Sequence, residues 1–229
     1  METKIMLLCK KTLFCKYAIK ILESYYPNDK IVIIAGDTGT QMNDELHWYK
    51  PEYVISFLSP WIIPKSLLYA AQKAAINFHP GCPRYPGSGC YNFAIYEKAA
   101  AYGVTCHHMK EKVDTGDIIM TSHFPVSTNE TVESLKLKSM NHLLFIFQKI
   151  IYEIYTNDTL PKSNEKWLCQ PYTKKQFNEL RKIDPLTMDY DEIMLRIRAA
   201  DYCSNYEGAF FEINGKRLCY NSKISEPLV

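Results

Sequence analysis

Residues 4–35 read KIMLLCKKTLFCKYAIKILESYYPNDKIVIIA. The flanking runs, 4–8 and 31–35, are short and apolar with β-branched residues, which suits buried strands. Between them Phe14, Ala18, Ile21, Leu22 and Tyr25 recur at the spacing of one helical face. Strand, helix and strand within so few residues predict a βαβ unit, and with it a parallel sheet. Working outward, the pattern repeats. Residues 53–57 (YVISF) read as a strand, 64–73 (PKSLLYAAQK) as a helix opened by proline, and 75–78 (AINF) as the next strand.

A loop dense in proline and glycine follows, then a predicted helix over 91–101. Strands are predicted over 103–109 and 117–126, joined through a tight Asp-Thr-Gly-Asp turn. Ser127-Thr128-Asn129-Glu130 has the form of a capping box. It precedes the longest apolar face, which runs from Val132 through Leu135, Met140, Leu143, Leu144, Phe147, Ile150 and Ile151 to Ile154. The expected fold class is α/β: a Rossmann-like open, mostly parallel sheet with flanking helices.

From about 157 the texture changes. Residues 157–175 are polar and punctuated by proline, and helical patterns follow over 174–182 and 189–200. Two strand-like runs then meet at Asn214-Gly215, a dipeptide that supplies the positive φ angles of a type I′ hairpin. The expected division is a first domain over 1–157, with a C-terminal helical segment and β-hairpin over 158–229.

Composition narrows the function classes. Of 229 residues, 47% are hydrophobic and 23% charged, a mix that excludes a disordered chain. The net charge is 27 − 25, or +2, which argues against a general attraction to nucleic acid or to an anionic membrane. No run approaches the roughly 18 apolar residues of a membrane span. The start, METKIMLLCKKTLFCK, lacks a signal-peptide h-region, so the expected compartment is the cytoplasm. The eight cysteines (9, 15, 82, 90, 106, 169, 203 and 219) form no CxxC pair. They are expected to be reduced thiols, mostly packed as small hydrophobes, and no metal is expected.

The first strand–helix junction, Cys9-Lys10-Lys11-Thr12-Leu13, has no glycine, which argues against NAD or FAD binding in the usual mode. Asn77-Phe78-His79 at the end of the fourth strand carries more chemistry. Residues two apart on a strand point to the same side. Asn77 and His79 therefore emerge together at the carboxyl edge, where open α/β sheets place their ligands. Residues 80–89 hold three prolines and three glycines, a constrained path suited to the wall of a cleft. By itself this also fits a polar strand end and a surface loop, just as Asp114-Thr115-Gly116-Asp117 fits an Asx-type turn. His107 and His108 are adjacent on a strand and should face opposite sides, one packed and one exposed, with no ligand role.

Together, NFHPGCPRYPG (77–87) and GVTCHHMKEKVDTGDII (103–119) resemble the folate-dependent formyltransferase family. The resemblance covers about 50–150 and implies a formyltransferase catalytic domain over 1–157. By it Asn77, His79 and Asp114 form the catalytic set. The folate, as N10-formyltetrahydrofolate, lies against Trp61, Ile62 and Ile63 and against the Val113–Asp114 turn. The roles are chemically apt: Asn77 can donate to an oxygen that becomes negative, His79 can move a proton, and Asp114 can hold the imidazole.

The loop YPGSGCYNFAIYE (85–97) is similar to that of nucleotide-sugar N-formyltransferases, with Cys82, Arg84 and Ser88 departing from their usual form. That likeness implies transfer to a nucleotide-linked dideoxy amino sugar, dTDP-4-amino-4,6-dideoxyglucose foremost, for surface polysaccharide. It also implies a homodimer paired through the C-terminal hairpin, and Lys65, Arg84, Tyr91 and Asn92 as candidate substrate contacts. GDP-perosamine, methionyl-tRNA and a non-catalytic folate or nucleotide-sugar binder are the alternatives. The missing glycine loop argues against glycinamide ribonucleotide. Eleven cations against ten anions from residue 160 onward, a net +1, argue against tRNA.

Overall fold

The opening unit forms as its periodicity predicts: β1 (Ile5–Lys10), α1 (Leu13–Tyr25) and β2 (Ile31–Gly36). Thr12 caps α1, its hydroxyl accepting from the Cys15 N–H, and the helix buries Cys15, Ala18 and Leu22. This computed structural model describes residues 4–202 and 208–220. Further along come β3 (Tyr53–Phe57), α2 (Lys65–Ala70) and β4 (Ala74–His79). They are followed by α3 (Cys90–Tyr96), β5 (Ala101–His108), β6 (Ile118–Pro125) and α4 (Val132–Asn157).

The six strands form one sheet in the order β2-β1-β3-β4-β5-β6. The first four run parallel, while β5 and β6 run antiparallel to their neighbours. All five residues Ile5 to Cys9 are fully buried, as befits a strand covered on both faces. Ile5, Leu7 and Cys9 share a core with residues of α1 and α4, while Met6 and Leu8 pack with Leu46 and with Leu67 of α2. Because β1, β3 and β4 are parallel, their carboxyl ends meet at one edge, and that edge carries His79.

Two local expectations are corrected. The long helix is capped not by Ser127 but by Thr131, in a reciprocal box with Ser134. Ser127 does bond Glu130, but the Glu130 carboxylate is drawn onward to Ser134 and Lys138, so the Ser-x-x-Glu segment is a turn ahead of the helix. Helix α3 ends at Tyr96 and does not reach 101, since Lys98 turns to φ 51° and β5 starts at Ala101.

Residues 158–173 form neither helix nor strand, but they are not loose. They run as a strap along the 80–89 loop. The Leu168 N–H donates to Pro83 O (2.9 Å), the Tyr172 N–H to Pro86 O (2.9 Å) and the Ser88 N–H to Tyr172 O (2.8 Å). Beyond the strap lie α5 (Lys174–Arg181), α6 (Tyr190–Ala200) and a hairpin of β7 (Phe210–Ile213) and β8 (Lys216–Cys219). Asn214 and Gly215 adopt φ 49° and 72° at its turn. Phe210 is buried in its own chain, with the guanidinium groups of Arg181 and Arg217 over its ring, while Ile213 and Leu218 are exposed.

Among the described residues no helix is long and apolar enough to cross a membrane. Cys9, Cys15, Cys82, Cys90 and Cys106 are buried free thiols, and Cys169 and Cys219 are exposed. Cys203 lies outside the described residues.

Candidate active site

The site is built around one buried carboxylate. Asp114 sits in the turn between β5 and β6 at φ 49°, a left-handed conformation that aspartate tolerates better than most residues. Its side chain is buried, and three groups converge on it. The Gly87 N–H donates to Oδ2 at 2.8 Å, His79 Nδ1 lies 3.2 Å from Oδ2, and His107 Nε2 lies 3.1 Å from Oδ1. Burial by itself would raise the carboxyl pKa. The charge of His79 and the hydrogen bond from His107 outweigh burial and hold Asp114 well below the ordinary carboxylate value. Asp114 is therefore ionised at neutral pH.

Backbone carbonyls orient both histidines. His79 Nε2 lies 2.9 Å from Tyr85 O. A carbonyl and a carboxylate can only accept, so Nε2 donates to Tyr85 O and, in the imidazolium form, Nδ1 donates to Asp114. A side chain at Gly81 would place its Cβ 2.5 Å from His79 Nε2, so that position in the loop has to be glycine. His107 Nδ1 lies 2.8 Å from His108 O and carries its hydrogen by the same reasoning.

His107 Nε2 is then shared by two partners, Asn77 Nδ2 at 3.1 Å and Asp114 Oδ1 at 3.1 Å. As neutral imidazole it accepts one N–H of Asn77, which leaves the second N–H of that amide for the cleft. As imidazolium it donates to Asp114.

Sequence reasoning missed His107. It is the packed member of the histidine pair, as expected, but it is packed into the site itself. The antiparallel register sets His107 directly opposite Asn77, and an irregularity between Cys106 and His107 re-aims the strand there.

Asn77, His79, His107 and Asp114 line a cleft of about 310 Å³ at the carboxyl edge of the sheet. The expected folate segment supplies one wall, with Trp61, Ile62, Ile63 and Val113 all lining the cleft. Trp61 donates its indole N–H to Thr40 O (2.8 Å) and lies over Gly36, where a Cβ would come within 2.2 Å of its ring. Ile62 is 80% exposed. Lys10 also lines the cleft. Among the described residues, no cluster of His, Cys, Asp or Glu could hold a metal ion.

The expected substrate contacts fare differently. Lys65 pairs with Glu111 (2.6 Å), which lines the cleft, so Lys65 stands at its rim. Arg84 does not line the cleft and is bound by both Nε and an amino nitrogen to Glu97. Tyr91 and Asn92 are corrected. Both are buried, Tyr91 against the ring of Tyr102, while the Asn92 amide donates to Ala199 O (2.7 Å) and accepts from Tyr202 (2.6 Å). Asn92 thus joins α3 to α6, and Tyr91 packs α3 against β5.

Known proteins resemble this chain in sequence and in fold. A family model described as "Formyl transferase" matches residues 31–146. A methionyl-tRNA formyltransferase of Ehrlichia ruminantium is 28% identical over 181 residues, covering 76% of this chain and 54% of that protein. The chain spans about half the length of the curated relatives it matches. Among solved structures, a 4-N formyltransferase from Francisella tularensis has the same fold. It superposes with a TM-score of 0.74 at 20% identity, over 96% of this chain and 98% of that one. An N-formyltransferase from Helicobacter canadensis, solved with folinic acid and dTDP-3-aminofucose, gives a TM-score of 0.69 at 19% identity, over 93% and 85% of the two chains.

Proposed function

The chain belongs to the formyl transferase family, and from that premise we propose that it moves a formyl group from N10-formyltetrahydrofolate to the amine of a nucleotide-linked dideoxy amino sugar. One observation carries this reading: Asn77, His107, Asp114 and His79 form a contiguous polar chain lining the same cleft as Trp61, Ile62, Ile63 and Val113. An apolar wall of this kind suits a flat heteroaromatic ring such as a pterin.

The folate supplies the formyl carbon and needs a proton as it departs. In the transfer a C–N bond forms to the acceptor amine, the bond to the folate nitrogen breaks, and the formyl oxygen is transiently negative. Asn77 donates its second amide N–H to that oxygen, a contact of a kind worth about 3–4 kcal/mol of barrier. His79 takes up the proton lost by the amine and returns it to the leaving nitrogen, its imidazolium being the form that donates to both Tyr85 O and Asp114. Asp114, ionised and buried, stabilises the imidazolium between those two events.

The choice of acceptor rests on how the chain is matched. A sugar N-formyltransferase from Shewanella superposes over 99% of both chains with a TM-score of 0.73, and a methionyl-tRNA formyltransferase from Clostridium thermocellum over 95% and 92% with a lower TM-score of 0.64. We take dTDP-4-amino-4,6-dideoxyglucose as the acceptor to try first. The same reading expects two copies to pair through the hairpin, where Ile213 and Leu218 are exposed.

The test is consumption of N10-formyltetrahydrofolate by the purified chain with a panel of acceptors. Turnover is expected with the dTDP-amino sugar and none with glycinamide ribonucleotide. Faster turnover with a GDP-linked amino sugar would change the nucleotide, and faster turnover with methionyl-tRNA would replace the acceptor class. Folate binding without turnover on any amine would leave a binding protein.

A further inference from the structure

Trp167 lies in the strap, outside the segment matched by the family model and far in sequence from the site. Its indole ring stands edge-to-face against both histidines, at 5.1 Å and 80° to His107 and at 6.0 Å and 68° to His79. Its N–H donates to Gly116 O at 2.7 Å, two residues after Asp114. The next residue, Leu168, donates its N–H to Pro83 O. Trp167 does not line the cleft, so it backs the two imidazoles from behind.

The consequence follows from what each partner holds. The loop that the strap binds carries Tyr85 O, which orients His79, and the Gly87 N–H, which binds Asp114. The turn that Trp167 pins carries Asp114 itself. The imidazole rings each have two nitrogen partners in their own plane, but those bonds leave tilting about the hydrogen-bond axis unopposed. An aromatic ring packed at right angles to both blocks that tilt and excludes water from the far side of the pair.

We infer that Trp167 is a positioning residue for His79 and His107, so that the strap is part of the catalytic unit. This rests on the formyl-transfer reading for its kinetic half alone.

The test compares Trp167→Phe, which keeps an aromatic ring, with Trp167→Met, which has similar bulk and no ring. Both lose the bond to Gly116, so the difference between them isolates the ring contact. Trp167→Met should have a kcat lower than that of Trp167→Phe by roughly tenfold or more, with both KM values within about threefold, because displaced catalytic groups cost rate rather than binding. In ligand-free protein labelled with 15N at histidine, Trp167→Phe should retain the ring-nitrogen protonation pattern that His79 and His107 show in the unsubstituted protein, and Trp167→Met should show a mixture of forms. In the unsubstituted protein, nuclear Overhauser contacts should join the indole to both imidazoles.

Equal kcat and equal protonation patterns in the two variants would overturn the inference, as would absence of those contacts in the unsubstituted protein. If no amine is formylated by the unsubstituted protein, the proposed function fails, while the protonation patterns and the ring contacts still decide the positioning role.

Discussion

Asp114 and Asp158 make an instructive pair. Both adopt the left-handed backbone conformation, at φ 49° and 53°, and both carboxyl groups are held below their ordinary pKa by bases. Asp158 caps the C-terminus of α4 and pairs with Lys4 (2.9 Å) and Lys73, in a cluster that also holds Glu52. Lys4, Glu52 and Lys73 each immediately precede a parallel strand, so this cluster marks the amino edge of the sheet, opposite the cleft.

The difference is solvent. The Asp158 side chain is 49% exposed and that of Asp114 is 3%. Water screens the first cluster whatever its number of charges, whereas in the second each partner is needed to keep a buried charge satisfied. What distinguishes the site is therefore charge with no access to water, set beside a cavity; a count of ion pairs would favour the wrong edge.

The largest effect expected from this contrast is on turnover. Asp114→Asn and His79→Asn should each lower kcat by about a hundredfold or more. The double variant should be little worse than the poorer single, since groups acting as one unit are not additive. Asp158→Asn should leave kcat within about twofold. Steady-state kinetics on the four proteins would break the comparison if Asp158 mattered as much as Asp114.

A smaller effect separates the backbones. A Cβ at Gly116 would lie 1.7 Å from His108 O, whereas at Gly215, on the hairpin turn, it meets nothing within 4 Å. Gly116→Ala should cost several kcal/mol in denaturant unfolding, and Gly215→Ala about 1 kcal/mol from its positive φ alone. Similar midpoints for the two variants would mean that the Asp114 turn is softer than its contacts imply.

The smallest effect concerns acid and salt. The pKa of Asp114 is depressed in the folded protein, so its stabilisation is fully present above the unfolded value near about 3.9 and is lost as pH falls toward the folded one. The stability gap between the unsubstituted protein and Asp114→Asn should be flat above about pH 5, narrow below about pH 4 and change little with salt. For Asp158, lowered to about 2, the same window applies, but its exposure limits the gap to under about 1 kcal/mol. That gap should shrink as salt is raised toward roughly 1 M, because the pair is exposed to solvent. A salt-insensitive Asp158 would contradict the screening argument.

Much of this was legible along the chain because it is local. Short apolar runs and helical spacing predicted the strands of the sheet and the helices beside it, and Asn77 and His79 share a side for the simple reason that they are two apart on a strand. The Asn-Gly hairpin followed from the same short-range reasoning. Where reading failed locally, a competing local bond had won: Glu130 serves Ser134 and Lys138, so Thr131 took the cap. The misassigned Tyr91 and Asn92 are a different failure. Helical periodicity shows that α3 has faces, but which face meets solvent depends on α6, about a hundred residues later.

The amino-acid sequence by itself determined the elements, the carboxyl-edge placement of Asn77 and His79, and the glycine-bearing turns that let Asp114 and the 80–89 loop form. Short-range sterics and burial periodicity act within a few residues, and they leave their mark there. Only the tertiary structure decided that His107 stands opposite Asn77, that one carboxylate serves two imidazoles, and that Trp167 closes the set from behind. Those contacts join residues 30, 35 and 60 or more positions apart. They depend on strand register and on the path of a strap without helix or strand of its own, and no periodicity encodes such long-range choices.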